Sequence, residues 1–223
     1  MKRALVLVEG QTEERFVKEV LQSHLLELNL GLIPTLIRTK EVTGGKNHTG
    51  GLASFGQFDR DATRLLYSSG NALVTTMLDY YRLPQDFPGV NNASTGSPLS
   101  RVRNIESAIH EHYGSPQYFL PYLSLHEFEA SLFCSPDELP KAMTQSTGAQ
   151  DFANIRSRYS SPEDINDGPT TAPSKRILAL YPTYRKVVNG VAIAKRIGLQ
   201  AMRAQCLHFD QWIIQLEAFA KGS

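Results

Sequence analysis

Ala4-Leu5-Val6-Leu7-Val8 runs directly into Glu9-Gly10-Gln11-Thr12-Glu13-Glu14, and this junction decides the fold. Five consecutive apolar residues read as a strand buried on both faces, the pattern of a parallel sheet. A carboxylate, Glu9, then stands at the carboxyl end of that strand, where open α/β sheets take their ligands. Gly10 permits a sharp turn, and Thr12 is the expected N-cap of a helix with Glu13 and Glu14 in its first turn. Val17, Val20, Leu21, Leu25 and Leu28 give that helix an apolar face.

Outward from this unit, strand and helix patterns alternate. Residues 33–37 form a second apolar run, followed by a glycine-rich loop over residues 44–51 and a helical pattern over 58–67. A third strand over 72–78 terminates in Asp79, a helix is expected over 99–112, and a fourth strand over 118–125. Pro121 within that run implies an edge position or a bulge, because proline cannot donate to the ladder. The order is that of an α/β fold with a largely parallel, four-stranded sheet flanked by helices. Residues 1–134 read as the core and residues 135–223 as a helical, basic extension packed on it as one compact unit. Ser135-Pro136-Asp137-Glu138 and Ser161-Pro162-Glu163-Asp164 both have the form of a capping box. Phe209, Trp212, Ile213, Leu216 and Phe219 space as a helix covering the core.

The net charge of +1 over 223 residues conceals an asymmetry. Residues 174–223 carry eight Lys or Arg against two acids, whereas residues 1–173 carry fifteen against twenty. An acidic half joined to a basic half suits a polyanionic substrate held near a metal. Arg185, Lys186, Lys195 and Arg196 read as a phosphate-backbone patch or a solvated face. Met1-Lys2-Arg3 leads into an apolar run too short for a signal peptide, and no run approaches the ~20 residues that span a bilayer. Cys134 and Cys206 lack metal-binding spacing, which excludes a Cys-rich zinc site and points to a reducing cytoplasm.

Acids stand where strands should end: Glu9, Asp79, and Glu127 with Glu129. Parallel strands bring these ends to one edge of the sheet. Two carboxylates ~4 Å apart repel by about 4 kcal/mol at an effective dielectric near 20, so such a cluster holds a divalent cation, protonates a member or pairs with Lys or Arg. Hard oxygen donors without thiolates favour Mg²⁺ or Mn²⁺. Structural readings stand beside these: Asp79 capping a turn, Glu14 serving only a helix N-terminus, and Ser124-Leu125-His126-Glu127 forming a capping box. The loop around Lys46 lacks the order of a nucleotide-binding P-loop, although Lys46 could close over a phosphate. Lys175 and Arg176 could contact a phosphate oxygen.

Val8-Glu9-Gly10-Gln11-Thr12-Glu13 resembles the glutamate motif of Toprim domains, the topoisomerase–primase catalytic fold. With Met77-Leu78-Asp79-Tyr80-Tyr81, Pro88-Gly89, Leu125-His126-Glu127-Phe128-Glu129-Ala130, Pro173-Ser174-Lys175-Arg176-Ile177 and Cys206-Leu207-His208-Phe209, the chain resembles a bacterial family of unknown function placed with Toprim-like proteins. That family is distantly similar to Toprim nucleases of the overcoming-lysogenisation-defect type. The resemblance implies a Toprim-like fold, phosphoryl transfer with Glu9 as acid/base or metal-associated group, and Asp79 as a Mg²⁺ ligand. Tyr81 replaces the second acid of the Asp-x-Asp motif, which leaves Glu127, Glu129 or Asp86 as substitute ligands, Glu127 being favoured, with Glu13 and His126 in support. The implied activity is metal-dependent nucleic-acid cleavage by Glu9, Asp79 and Glu127, in phage defence beside an ABC-type ATPase partner. The alternative is a catalytically inactive Toprim-like scaffold that binds nucleic acid or that ATPase. Hydrolysis of a small nucleotide is a third reading.

Overall fold

The computed structural model describes residues 1–38, 52–91, 96–145, 147–165, 168 and 170–222. The first apolar run forms β1 (Lys2–Val8), which feeds α1 (Gln11–Phe16), a π-helical turn (Val17–Leu21) and α2 (Gln22–Glu27) as one continuous rod. Gly10, with extended backbone, is the N-cap of α1; Thr12 lies inside the helix and is buried, so the expected Thr12 cap is not formed. β2 (Leu30–Leu36), α3 (Phe55–Ser68), β3 (Leu73–Asp79) and α4 (Pro98–His112) follow.

The expected fourth strand is shorter and divided, into β4 (Phe119–Leu120) and β5 (Leu123–Ser124), both parallel to β3. Pro121 causes the break, and the side chain of Thr76 spans it. The Thr76 hydroxyl donates to Tyr122 O and accepts from Tyr122 N–H, both at 2.7 Å, within a buried position. Thr76→Val therefore leaves a buried amide and carbonyl unpaired at nearly constant volume. The expected cost is about 1–2 kcal/mol, or roughly 2–6 °C in melting temperature, and thermal denaturation reads it.

All strand pairs are parallel and the order is β2-β1-β3-β4, with β5 continuing alongside β3. The α/β expectation therefore holds. Ala4, Val6 and Val8 point to one face, where they pack with Phe16, Val17, Leu21 and Leu25. Leu7, Val74 and Leu78 point to the other, against Phe58 and Ala62 of α3 and Val102, Ile105 and Ile109 of α4. The helix after β1 thus covers one face, while α3 and α4 cover the opposite one. The direction of winding reverses between β1 and β3, and such a switch point opens a crevice beyond the carboxyl ends of those two strands.

Beyond β5 the chain makes a 3₁₀ segment (Phe128–Cys134), α5 (Glu138–Ala142), α6 (Ala149–Arg156), a 3₁₀ turn (Pro162–Asp164), α7 (Pro173–Leu180), a π-helical turn (Lys186–Gly190), α8 (Val191–Ile197), α9 (Leu199–Gln205) and α10 (Leu207–Lys221). The Ser161 capping box forms with Asp164; the Ser135 one does not, because α5 starts at Glu138 with Asp137 as N-cap. The C-terminal helix packs as its spacing predicts. Trp212 Nε1–H donates to Thr75 Oγ1 at 2.9 Å, and its ring stacks on Tyr122 at 4.4 Å and 7°. Cys134 and Cys206 are free and buried with their sulfurs 3.5 Å apart. Among the described residues no helix is long and apolar enough to cross a membrane.

Candidate functional site

Three sequence segments deliver carboxylates to the switch-point crevice. Glu9 directly follows β1, the first turn of α1 supplies Glu13, β3 ends in Asp79, and the residues after β5 supply Glu127 and Glu129. Glu13 and Glu129 are buried. Glu9 Oε1 accepts from Leu52 N–H at 3.3 Å, and Asp79 Oδ1 accepts from Phe128 N–H at 2.9 Å, which fixes the latter to the segment carrying Glu129.

A cation from the basic half sits among them. Lys186 Nζ lies 3.2 Å from Asp79 Oδ2, 3.2 Å from Glu129 Oε2 and 3.8 Å from Glu13 Oε1. Lys186 opens the second π-helical turn, whose carbonyl at Val187 accepts from Arg15 Nη1 of α1 at 2.8 Å. Asn189 Oδ1 holds the Arg185 amide at 2.7 Å. Gly190 lets this turn approach closely, since a Cβ there would meet the Tyr184 hydroxyl at 2.9 Å and the Phe128 ring at 3.4 Å. The expectation of a solvated or phosphate-backbone Lys186 is therefore corrected: its ammonium is committed to the acids. No local signal could have revealed this, because Asp79 lies 107 residues away in the chain.

One lysine does not balance these five acids. Burial, then the Asp79 charge, pushes the Glu9 carboxyl up to about 7, and the same causes raise Glu13 to about 7. Burial raises Glu129 to about 8 against the pull of Lys186. For Lys186, burial favours the neutral amine, but Asp79, Glu129, Glu13 and Glu127 overcome it and hold the ammonium well above its ordinary range. Glu13 Oε1 and Glu129 Oε2 are buried, face the Lys186 ammonium at 3.8 and 3.2 Å and have no hydrogen-bond partner besides it. Hard oxygen donors short of positive charge fit a divalent cation such as Mg²⁺ or Mn²⁺. Even so, among the described residues no three His, Cys, Asp or Glu side chains are disposed around one point to hold a metal ion.

The remaining expected residues have other settings. Glu127 accepts from Ser174 N–H at 2.9 Å and from the Ser174 hydroxyl at 3.0 Å, so both oxygens hold the start of α7. It is the N-cap of its own 3₁₀ segment by position but makes no side-chain cap there, so the Ser124 capping box is absent. His126 is buried, adopts φ +63° and sets its ring 6.4 Å from that of Tyr80. Arg176 donates to Thr171 O and to the Tyr159 hydroxyl, both at 2.7 Å, while Lys175 is exposed. Asp86 uses both oxygens on Phe55 N–H, at 2.9 Å each, at the start of α3. Glu14 pairs with Lys18 at 2.6 Å. Lys46 and its loop lie outside the described residues.

Among solved structures, the chain is similar to the C-terminal region of the Xanthomonas campestris pv. campestris OLD protein, with 17% identity and a TM-score of 0.43 over 96% of this chain and 95% of that one. It is also similar to the C-terminal region of the Burkholderia pseudomallei OLD protein, with 18% identity and a TM-score of 0.42 over 98% and 100%. No curated protein matches the sequence. A family profile described as "Domain of unknown function (DUF4276)" matches residues 8–217, a span that takes in every carboxylate of the crevice and Lys186, and the chain belongs to that family.

Proposed function

We propose that this protein is a divalent-metal-dependent phosphodiester hydrolase acting on nucleic acid. The observation that carries the reading is the gathering of Glu9, Glu13, Asp79 and Glu129 at the switch point with a single lysine among them. Glu9, Asp79, Glu13 and Glu129 are the carboxylates that would have to close around the ion in place of Lys186, while Glu127 secures α7 and acts on the site through its charge. A bound divalent cation supplies a Lewis acid and lowers the pKa of the water it holds. Glu9, at the carboxyl end of β1 and held by Leu52 N–H, is the carboxylate we assign to take a proton from an attacking water. Lys186 Nζ is placed to neutralise a phosphoryl oxygen once an ion takes over its carboxylates.

The family resemblance extends the proposal to phage defence in the cytoplasm beside an ABC-type ATPase, with Lys46, Lys175 and Arg176 as candidates for phosphate contact. A second reading, a scaffold without turnover, draws on Tyr81 in place of a second acid and on Lys186 already occupying the cluster. Incubation of the purified protein with labelled DNA and RNA, single- and double-stranded, in Mn²⁺, Mg²⁺ or EDTA separates the two. Products in Mn²⁺ and none in EDTA are expected. Intact substrates under every ion would leave the scaffold.

A further inference from the structure

Immediately after Asp79 the chain makes a turn, Tyr80-Tyr81-Arg82-Leu83, closed by Leu83 N–H donating to Tyr80 O at 3.1 Å. The Tyr80 and Tyr81 amides donate to Ser124 O at 3.0 Å and His126 O at 2.7 Å, so both residues are pinned to the rim of the acid crevice. The Arg82 guanidinium lies 5.1 Å from the centre of the Tyr81 ring. Arg101, near the start of α4, lies 5.9 Å from that of Tyr80. Among the described residues neither Arg82 nor Arg101 is ion-paired to a carboxylate, a condition they share with other arginines of the chain. Arg101 Nε is buried without a hydrogen bond. Arg82 also holds φ +63°, a left-handed conformation disfavoured for a long side chain and retained where surrounding structure or function imposes it.

Two ring–guanidinium pairs, Arg82 on Tyr81 and Arg101 on a Tyr80 partly packed against the core, therefore stand on the turn that follows Asp79 and on the helix facing it, and neither guanidinium is ion-paired to a carboxylate of the described residues. Rings and guanidinium planes are stacking surfaces for exposed bases, and guanidinium donors fit phosphate oxygens. A duplex keeps its base faces covered; an unpaired strand presents faces and phosphates in alternation. We propose that Tyr80, Tyr81, Arg82 and Arg101 form a binding rim for single-stranded nucleic acid, which feeds a phosphodiester to the Asp79 cluster. The proposal rests on reading that cluster as a phosphodiester site.

Fluorescence anisotropy in EDTA, where nothing is cut, tests it with a labelled 12-nucleotide DNA, the same sequence as RNA, and the DNA duplex. Single strands should bind at least tenfold more tightly than the duplex. Tyr81→Ala, Arg101→Gln and Arg82→Gly should each weaken single-strand binding about 5- to 100-fold and duplex binding less than about twofold. Arg82→Gly is the folding-safe variant, because glycine accepts the left-handed backbone without strain and its melting temperature should not fall. Equal affinity for strand and duplex, no binding, or unchanged binding by all three variants would overturn the rim. Because cleavage plays no part in this readout, an inactive protein that still prefers single strands would sink the hydrolase and keep the rim. Cleavage in Mn²⁺ indifferent to the three variants would do the reverse.

Discussion

Asp79→Asn is expected, on the proposed hydrolase reading, to lower Mn²⁺-dependent cleavage at least about a thousandfold, since loss of a carboxylate proposed to hold the ion forfeits several kcal/mol of charge stabilisation. The substitution is nearly isosteric. The asparagine oxygen can still accept from Phe128 N–H, so the link between β3 and the 3₁₀ segment survives. What disappears is one negative charge 3.2 Å from Lys186, and with it a charge that raises Glu9, Glu13 and Glu129. The fold should therefore persist, with a melting temperature within about 3 °C of wild type, the range of a change near 1 kcal/mol. Mn²⁺ should stabilise the variant far less than it stabilises the wild type, because ligand stabilisation follows affinity. Single-turnover cleavage alongside Mn²⁺-titrated denaturation reads both effects. A variant that cuts at the wild-type rate would remove Asp79, and the shared-ion argument, from the chemistry.

Lys186→Met should give the largest stability change, and one that depends on pH. Removing one partner of a buried charge pair typically costs about 3–5 kcal/mol. Side-chain accessibility of 37% at Lys186 lets water absorb part of the loss, so about 3 kcal/mol, or roughly 6–12 °C, is expected at pH 8. The sign with pH follows from the acids. Glu9, Glu13 and Glu129 are raised in the folded protein to about 7, 7 and 8, above their unfolded value of 4.5. Their contribution is fully present below pH 4.5 and is lost as pH rises through 7 to 8, while Lys186 stays charged throughout. The metal-free wild type should accordingly lose stability between pH 5 and pH 8, and the variant should lose more. At pH 5, with the carboxyls protonated, the two should melt within a few degrees. Mn²⁺ at pH 8 should narrow the gap by supplying the missing positive charge. A Lys186→Met protein with the wild-type pH slope would show that the ammonium is not what balances the crevice.

The parts of this site legible in the sequence share one property: they sit next to a local pattern. Glu9 and Asp79 each follow an apolar strand, so the strand rule alone places them at one edge of the sheet. An edge position or bulge at Pro121 was equally readable, because proline's missing donor is a local fact; that the strand divides there and Thr76 fills the gap was not. Lys186 stands among polar and apolar residues with no period to set it apart, and its role arises wholly from where the second π-helical turn packs. Glu127 shows the opposite failure. Its position after a strand is that of a ligand, yet the Ser174 amide and hydroxyl, supplied from 47 residues downstream, take both oxygens. Thr12 misled because capping propensity favours threonine, while the backbone turned one step earlier, at Gly10.

The counter-cation of the crevice comes late in translation. Glu9, Glu13, Asp79 and Glu129 all leave the ribosome before Lys186, and the indole that anchors the last helix to β3 follows at Trp212. A nascent chain that has emerged only as far as Cys134 holds its acids without the ammonium that steadies them, and protonation is its remaining recourse. The crevice therefore gains its balancing charge only after the C-terminal half of the chain has been made.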